Sequence, residues 1–73
     1  MIKTYQATVW SEGDLFVAQC LDVDVVSQGT SAEEAITNLR EAVELFFETA
    51  SEQEIRDRLK LGVRVTPIEV AVG

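Results

Sequence analysis

Residues 31–50 read SAEEAITNLREAVELFFETA, and this segment carries the strongest local structural signal in the chain. Ser31 followed three residues later by Glu34 is a capping box, in which the two side chains satisfy backbone N–H groups of the first helical turn. Apolar residues then recur at spacings of three and four, which places them on one stripe of a helix. The pattern predicts an amphipathic helix over residues 32–49.

Upstream of this helix the sequence indicates three short strands. Residues 2–10 alternate between two faces and are rich in β-branched and aromatic side chains. A turn at 11–14 leads to a second strand over 15–20, and a third strand is predicted over 25–28 and is ended by Gly29. Together the three strands predict an antiparallel meander.

Downstream, a second capping box formed by Ser51 and Glu54 predicts a shorter helix, which Gly62 is expected to end. Residues 63–72 alternate as in a strand, but the parity of the apolar side chains changes near Pro67, which requires a bulge or a break.

The predicted element order is therefore β-β-β-α-(α)-β in a single domain spanning residues 1–73. The fold class expected from this order is an α+β two-layer sandwich, with an antiparallel meander, one main covering helix and a final strand.

Composition restricts the class of protein. The chain has 73 residues and an apolar content of 47%, which is ordinary for one small globular domain. No apolar run approaches the roughly 20 residues of a membrane-spanning helix, and residues 1–5 do not resemble a secretion signal. The only cysteine, Cys20, cannot form an internal disulfide. We therefore expect a cytoplasmic protein.

The charge is strongly acidic and uneven. The net charge is −7, and residues 1–55 contain eleven acidic and two basic side chains, whereas residues 56–73 contain two acidic and four basic ones. An acidic surface repels the phosphate backbone of nucleic acids and attracts basic partners. The same charge could serve only to keep a small protein soluble, and composition does not decide between these alternatives.

Several segments, in this order and spacing, resemble the HicB-like antitoxin family: GDLFVAQC at 13–20, SQG at 27–29, SAEEA at 31–35 and NLREA at 38–42. The resemblance covers residues 2–48. It implies a partial RNase H-like fold, and it implies that the protein binds and neutralises a small, basic toxin of the HicA type that cuts mRNA.

Three features depart from the family pattern. Residues 21–25 read LDVDV where the family has a turn of the Pro-x-Leu-Pro-Gly kind. The second helix replaces what is more often a short polar loop. The chain also ends at Gly73, which leaves no room for the DNA-binding module of full-length members, so operator binding is not expected.

The residues themselves argue against catalysis, although an RNase H-like topology raises the hypothesis of a nuclease. Two-metal chemistry needs several converging carboxylates, whereas residues 2–10 contain no acid and Asp22 and Asp24 alone are too few. The chain has no histidine that could activate Cys20, and Gly29 stands alone rather than in a phosphate-binding loop. We expect a non-catalytic protein without a metal ion or another cofactor, and a buried Cys20.

The sequence nominates residues for two kinds of interface. Trp10 could cover an edge of the core or anchor a partner, since tryptophan is enriched at binding hot spots. The acidic residues could contact a basic partner or form an ordinary solvated helix face. The candidate partner-binding residues are Trp10, Asp22, Asp24, Glu33, Glu41, Glu44 and Glu48.

Apolar residues beyond the helical stripe, together with the final strand, predict a homo-oligomer, either a dimer or a tetramer. An alternative function is an orphan HicB-fold scaffold or a small-molecule-sensing protein that has no toxin partner. The candidate oligomer contacts are Leu45, Phe47, Ile68, Val70 and Val72.

Overall fold

The computed structural model describes residues 1–73 and contains a three-stranded antiparallel sheet and two helices. The sheet has the order β1-β2-β3, so each strand pairs with its neighbour in sequence, and the predicted meander and α+β class are confirmed. The elements are β1 (Ala7–Glu12), β2 (Leu15–Cys20), β3 (Val25–Gly29), α1 (Ala32–Thr49) and α2 (Glu52–Arg58).

A two-residue turn connects β1 to β2. Gly13 has a φ of 61°, whereas Asp14 does not have a positive φ, and this combination is typical of a type II′ hairpin turn with glycine at its first position. Glu12 consequently pairs with Leu15, so the predicted four-residue turn is too long by two residues.

The start of β1 also differs from the prediction, because the strand begins at Ala7 rather than at residue 2. Ala7 pairs with Cys20, the last residue of β2. Beyond that pair the chain turns away through residues 21–24, so residues 2–6 have no adjacent strand with which to form a ladder.

Helix α1 packs across one face of the sheet, and its bounds agree with the prediction. Ser31 Oγ accepts a hydrogen bond from the Glu34 N–H at 3.1 Å. The Glu34 carboxylate in turn accepts from the Thr30 N–H at 2.8 Å. The capping box therefore forms, with the carboxylate reaching one residue further back than the N-cap.

The turn into α1 passes very close to β3. A Cβ atom added to Gly29 would lie 2.7 Å from the Ala35 backbone nitrogen, a distance that no side chain tolerates. Gly29 thus allows the first turn of the helix to rest directly on the end of β3.

The core is small and lies between α1 and the inner face of the sheet, with Val23 closing it from the loop after β2. Its half-buried rim includes residues from both helices and from the N-terminal segment. The buried hydrophobic residues are Ala18, Cys20, Val23, Ala35, Leu39 and Phe46.

Helix α2 begins as predicted, with Ser51 Oγ accepting from the Glu54 N–H at 3.1 Å. It ends at Arg58, however, four residues before Gly62, which was expected to end it. The reason is a tertiary contact, since Leu59 forms an isolated antiparallel bridge with Val23 and takes an extended backbone conformation.

The predicted final strand over residues 63–72 is not formed. The segment pairs with no strand, and residues 64–73 are all exposed. An alternating sequence becomes a strand only when a neighbouring strand accepts its backbone hydrogen bonds, and within this single chain none does. Residues 61–73 are called the C-terminal tail below.

Candidate binding surfaces

The acidic residues of α1 lie together on the side of the helix that faces away from the sheet. Four of these residues are separated along the chain by eight, three and four positions. At about 100° per residue, these separations place all four within about a quarter-turn around the helix axis. None of them is in an ion pair, because the one salt bridge of the chain joins Arg56 to Glu52 at 3.9 Å. We call this surface the acidic stripe, and it consists of four exposed residues: Glu33, Glu41, Glu44 and Glu48.

Asp22 has a structural role that the sequence did not reveal. Its Oδ2 accepts a hydrogen bond from the Gln6 N–H at 2.6 Å, and its backbone carbonyl accepts one from the Lys60 N–H at 2.7 Å. Asp22 therefore connects the loop after β2 to the N-terminal segment and to the exit from α2. It is half-buried and not part of the acidic stripe.

Asp24 contributes through its backbone rather than through its carboxylate. Its carbonyl oxygen accepts a hydrogen bond from the guanidinium of Arg58. The same guanidinium lies 4.6 Å from the centroid of the Phe46 ring, an arrangement typical of a cation–π contact. The side chain of Asp24 is exposed and free to contact a partner.

Trp10 lies on the outer face of the sheet, which neither helix covers. Side chains alternate along β1, and the inward position belongs to Val9, which pairs with the buried Ala18. Trp10 is 41% exposed, and its cross-strand partner is Val17. Trp10 therefore does not cover an edge of the core, and its role as an interface anchor stays a prediction. Leu15 and Val26 share this outer face and are also exposed.

The structure does not bring all the candidate partner-binding residues together. The acidic stripe is on the outer side of the helical layer, Trp10 is on the outer side of the sheet layer, and Asp22 and Asp24 lie at one end of the sheet. A partner that contacted all of them would have to wrap around both layers.

The candidate oligomer contacts also separate into distinct surfaces. Leu45 is 58% exposed beside the acidic stripe, whereas Phe47, two residues further along the helix, lies on nearly the opposite side. Phe47 is half-buried and stacks on Tyr5 with ring centroids 5.8 Å apart. Ile68, Val70 and Val72 are all exposed in the C-terminal tail.

A groove that sequence analysis did not predict lies between the N-terminal segment and α1. It has a volume of about 920 Å³ and is open at one side. No local sequence signal could identify it, because it exists only where the apolar side of α1 extends past the edge of β1. We call it the α1 groove. Its lining includes the apolar or aromatic residues Tyr5, Ala7, Ile36, Val43 and Phe47 and the charged residues Lys3, Arg40, Glu44 and Glu48.

The side chains that could bind a metal ion or act as a nucleophile are not clustered in one place. No group of three or more cysteine, aspartate and glutamate side chains is arranged to hold a metal ion. Cys20 is a free thiol that is only 3% exposed, as predicted for a small buried residue.

No helix has the length and apolar character needed to cross a membrane. No protein-family model matches the sequence, and comparisons with curated proteins and with solved structures likewise find no match.

Proposed function

We propose that this protein is a non-catalytic, cytoplasmic antitoxin module of the HicB-like type, which binds and neutralises a small, basic, mRNA-cleaving toxin of the HicA type. The proposal includes a partial RNase H-like fold, in which three strands and α1 correspond to the segments that resemble the family. The motif resemblance over residues 2–48 supports the family assignment.

One observation carries the choice of partner, namely the acidic stripe of unpaired carboxylates on α1. A toxin that cleaves RNA has to present basic groups to the phosphate backbone. A row of exposed carboxylates would compete for those same groups and would also accelerate encounter. Neutralisation would then follow from occlusion of the RNA-binding surface, with no chemical step in the antitoxin.

The test first asks whether the reading frame beside its gene encodes a small basic protein, and then co-expresses the full chain with that protein. The double variant Glu41→Lys/Glu44→Lys reverses two charges of the stripe, and Glu12→Lys/Glu52→Lys makes the same change in net charge elsewhere on the surface. We expect the stripe variant to bind the partner about tenfold more weakly or worse, and the control to bind nearly as well as wild type at equal salt. Protection of an mRNA substrate from the partner should decline in parallel.

Two outcomes would contradict the proposal. If no small basic protein co-purifies with the chain from its native host, the antitoxin assignment fails and the alternative of an orphan scaffold or small-molecule sensor gains support. If the two double variants lose affinity equally, the acidic stripe is not the docking surface. Trp10→Ala then tests the outer face of the sheet as the alternative site.

The proposal also includes a homo-oligomer, with contacts among Leu45, Phe47, Ile68, Val70 and Val72. The apolar exposure of Leu45 and of the C-terminal tail supports it, since a small protein rarely leaves so much apolar surface in water.

A further inference from the structure

The C-terminal tail extends away from the rest of the chain with its apolar side chains in solvent. Ile68 is 79% exposed, Val70 65% and Val72 90%. The radius of gyration is 14.0 Å, compared with about 11 Å for a compact domain of this length. Residues 64–73 of the tail therefore contribute little packing to the single chain.

The accessible surface area leads to the same conclusion. The chain exposes 5874 Å², whereas a compact monomer of this mass exposes about 4,500 Å². The excess is larger than the roughly 800 Å² that each partner buries in a protein–protein interface of standard size. A second molecule could cover this excess without any change in the fold of residues 1–60.

Strand β1 has a free edge that can accept another strand. Next to the last pair of the β1–β2 ladder, the carbonyl of Gln6, which precedes β1, accepts a hydrogen bond from the N–H of Leu21, which follows β2, at 2.8 Å. Because inward and outward hydrogen bonding alternate along an antiparallel strand, the even-numbered residues of β1 bond to β2 and Ala7, Val9 and Ser11 direct their backbone groups outwards. None of the backbone hydrogen bonds outside the helices and strands involves these three residues.

The α1 groove lies beside this edge and shares Ala7 with it. Its apolar lining consists of side chains that the three-stranded sheet leaves half-covered, including Ile36, Val43 and Phe47. A strand added along β1 would direct every second side chain into the groove. The tail has apolar residues at this spacing, namely Ile68, Val70 and Val72.

The direction of the chain after α2 favours a tail from another molecule. Within one chain, Lys60 is held by the carbonyl of Asp22, and Gly62, with a φ of 70°, then directs the tail away from its own body.

We propose that two copies of this chain exchange their C-terminal tails, with residues 68–72 of each copy forming a fourth strand on the free edge of β1 in the other and filling its α1 groove with Ile68, Val70 and Val72. The exchange is reciprocal, and a two-fold axis relates the two copies. The free edge of β1 is then covered in both of them. This inference does not depend on the identity of a toxin partner.

The test compares the full-length wild type with Val70→Asp and with Ala71→Asp. The first variant places a carboxylate on the face of the tail that would enter the groove, and the second places the same group on the opposite face. Mass is measured by sedimentation velocity over a range of concentrations. Exchange of the backbone amide protons of Thr8, Val9, Trp10 and Ser11 is measured by NMR.

We expect a dimer for wild type and for Ala71→Asp, with slow amide exchange at all four residues. Val70→Asp should raise the dimer dissociation constant by about 100-fold, because burial of an unpaired carboxylate in an apolar groove is unfavourable. In that variant Val9 and Ser11 should exchange rapidly, whereas Thr8 and Trp10 remain protected by β2.

The other outcomes would overturn the proposal. A wild-type monomer with fast exchange at Val9 means that the edge is unoccupied, and a monomer with slow exchange means that the tail binds its own edge. A dimer in which Val9 exchanges rapidly uses another surface. If Val70→Asp abolishes the protection of Val9 but leaves the dimer intact, the tail is not exchanged. Binding of a basic partner in any of these cases would leave the proposed antitoxin function standing, whereas a wild-type monomer would also refute the homo-oligomer proposed above.

Discussion

At the scale of single residues, Gly29 shows how one missing side chain sets the distance between two elements. Its φ is not positive, so the requirement for glycine here is steric. The end of β3 and the first turn of α1 approach each other so closely that a methyl group at Gly29 would overlap the backbone at Ala35 and Glu34. Backbone atoms cannot rotate out of the way as a flexible side chain could.

We therefore expect Gly29→Ala to destabilise the protein. Forcing an extra methyl group into a packed contact costs about 1–3 kcal/mol. The loss of backbone freedom in the unfolded chain would recover only about 0.4–1 kcal/mol, so the steric effect should dominate. Chemical denaturation followed by circular dichroism measures the difference.

Gln28→Ala is the control for this substitution, since Gln28 is exposed on the outer face of the same strand. Its free energy of unfolding should stay within about 0.5 kcal/mol of wild type. Equal stability of Gly29→Ala and wild type would mean that α1 can move away from β3 without loss, and it would contradict a steric requirement for glycine at this position.

At the scale of elements, α2 packs against the core through the half-buried Ile55 and through Leu59 at its end, and Arg58 adds polar contacts. The helix has no buried residues, and its salt bridge between Glu52 and Arg56 is exposed. Arg58, by contrast, reaches the carbonyl of Asp24 and lies over Phe46.

Arg58→Ala should accordingly reduce the free energy of unfolding by about 1–2 kcal/mol, through loss of a charged hydrogen bond and a cation–π contact. Arg56→Ala removes the same kind of side chain from the same helix, and its effect should be within about 0.5 kcal/mol of zero. Equal losses for the two variants, measured by thermal unfolding, would show that α2 does not depend on the Arg58 contacts.

The element scale also separates what local sequence can predict from what it cannot. Helix α1 was predicted to the residue, because the chemistry of its capping box and its apolar period are contained within residues 31–50. The start of β1, the end of α2 and the state of the tail were wrong or incomplete. Each of these depends on contact with a distant segment, such as the bridge between Leu59 and Val23.

The candidate surfaces also separate into those that local sequence predicts and those that depend on contacts between distant segments. Exposure of the acidic stripe could be predicted from helical periodicity alone. The structural role of Asp22 and the existence of the α1 groove could not, since both arise where the N-terminal segment, the loop after β2 and α1 meet. Sequence alternation correctly placed Trp10 opposite Val9, but it did not reveal that the outer face lacks a covering layer.

At the scale of the whole molecule, the small core makes stability dependent on assembly. A 73-residue chain with six buried hydrophobic residues has little margin as a monomer. If the tails are exchanged, folding and association are coupled, and mass action then raises the apparent stability with concentration.

We expect the Tm of wild type and of Ala71→Asp to rise as protein concentration is increased, and the Tm of Val70→Asp to be lower and independent of concentration. Differential scanning calorimetry over a wide concentration range provides the measurement. A concentration-independent Tm for wild type would show that the folded unit is the single chain.

The position of Asp22 has a mechanical consequence. Through its two hydrogen bonds, Asp22 gathers Gln6 and Lys60 at the same end of the sheet. Tension applied between the two ends of one chain would load these contacts first, and it would then separate β1 from β2 one residue pair at a time, starting at Ala7 and Cys20. In this geometry the hydrogen bonds between β1 and β2 break one after another rather than all at once. The force needed to unfold the protein by pulling on its two termini should therefore be low.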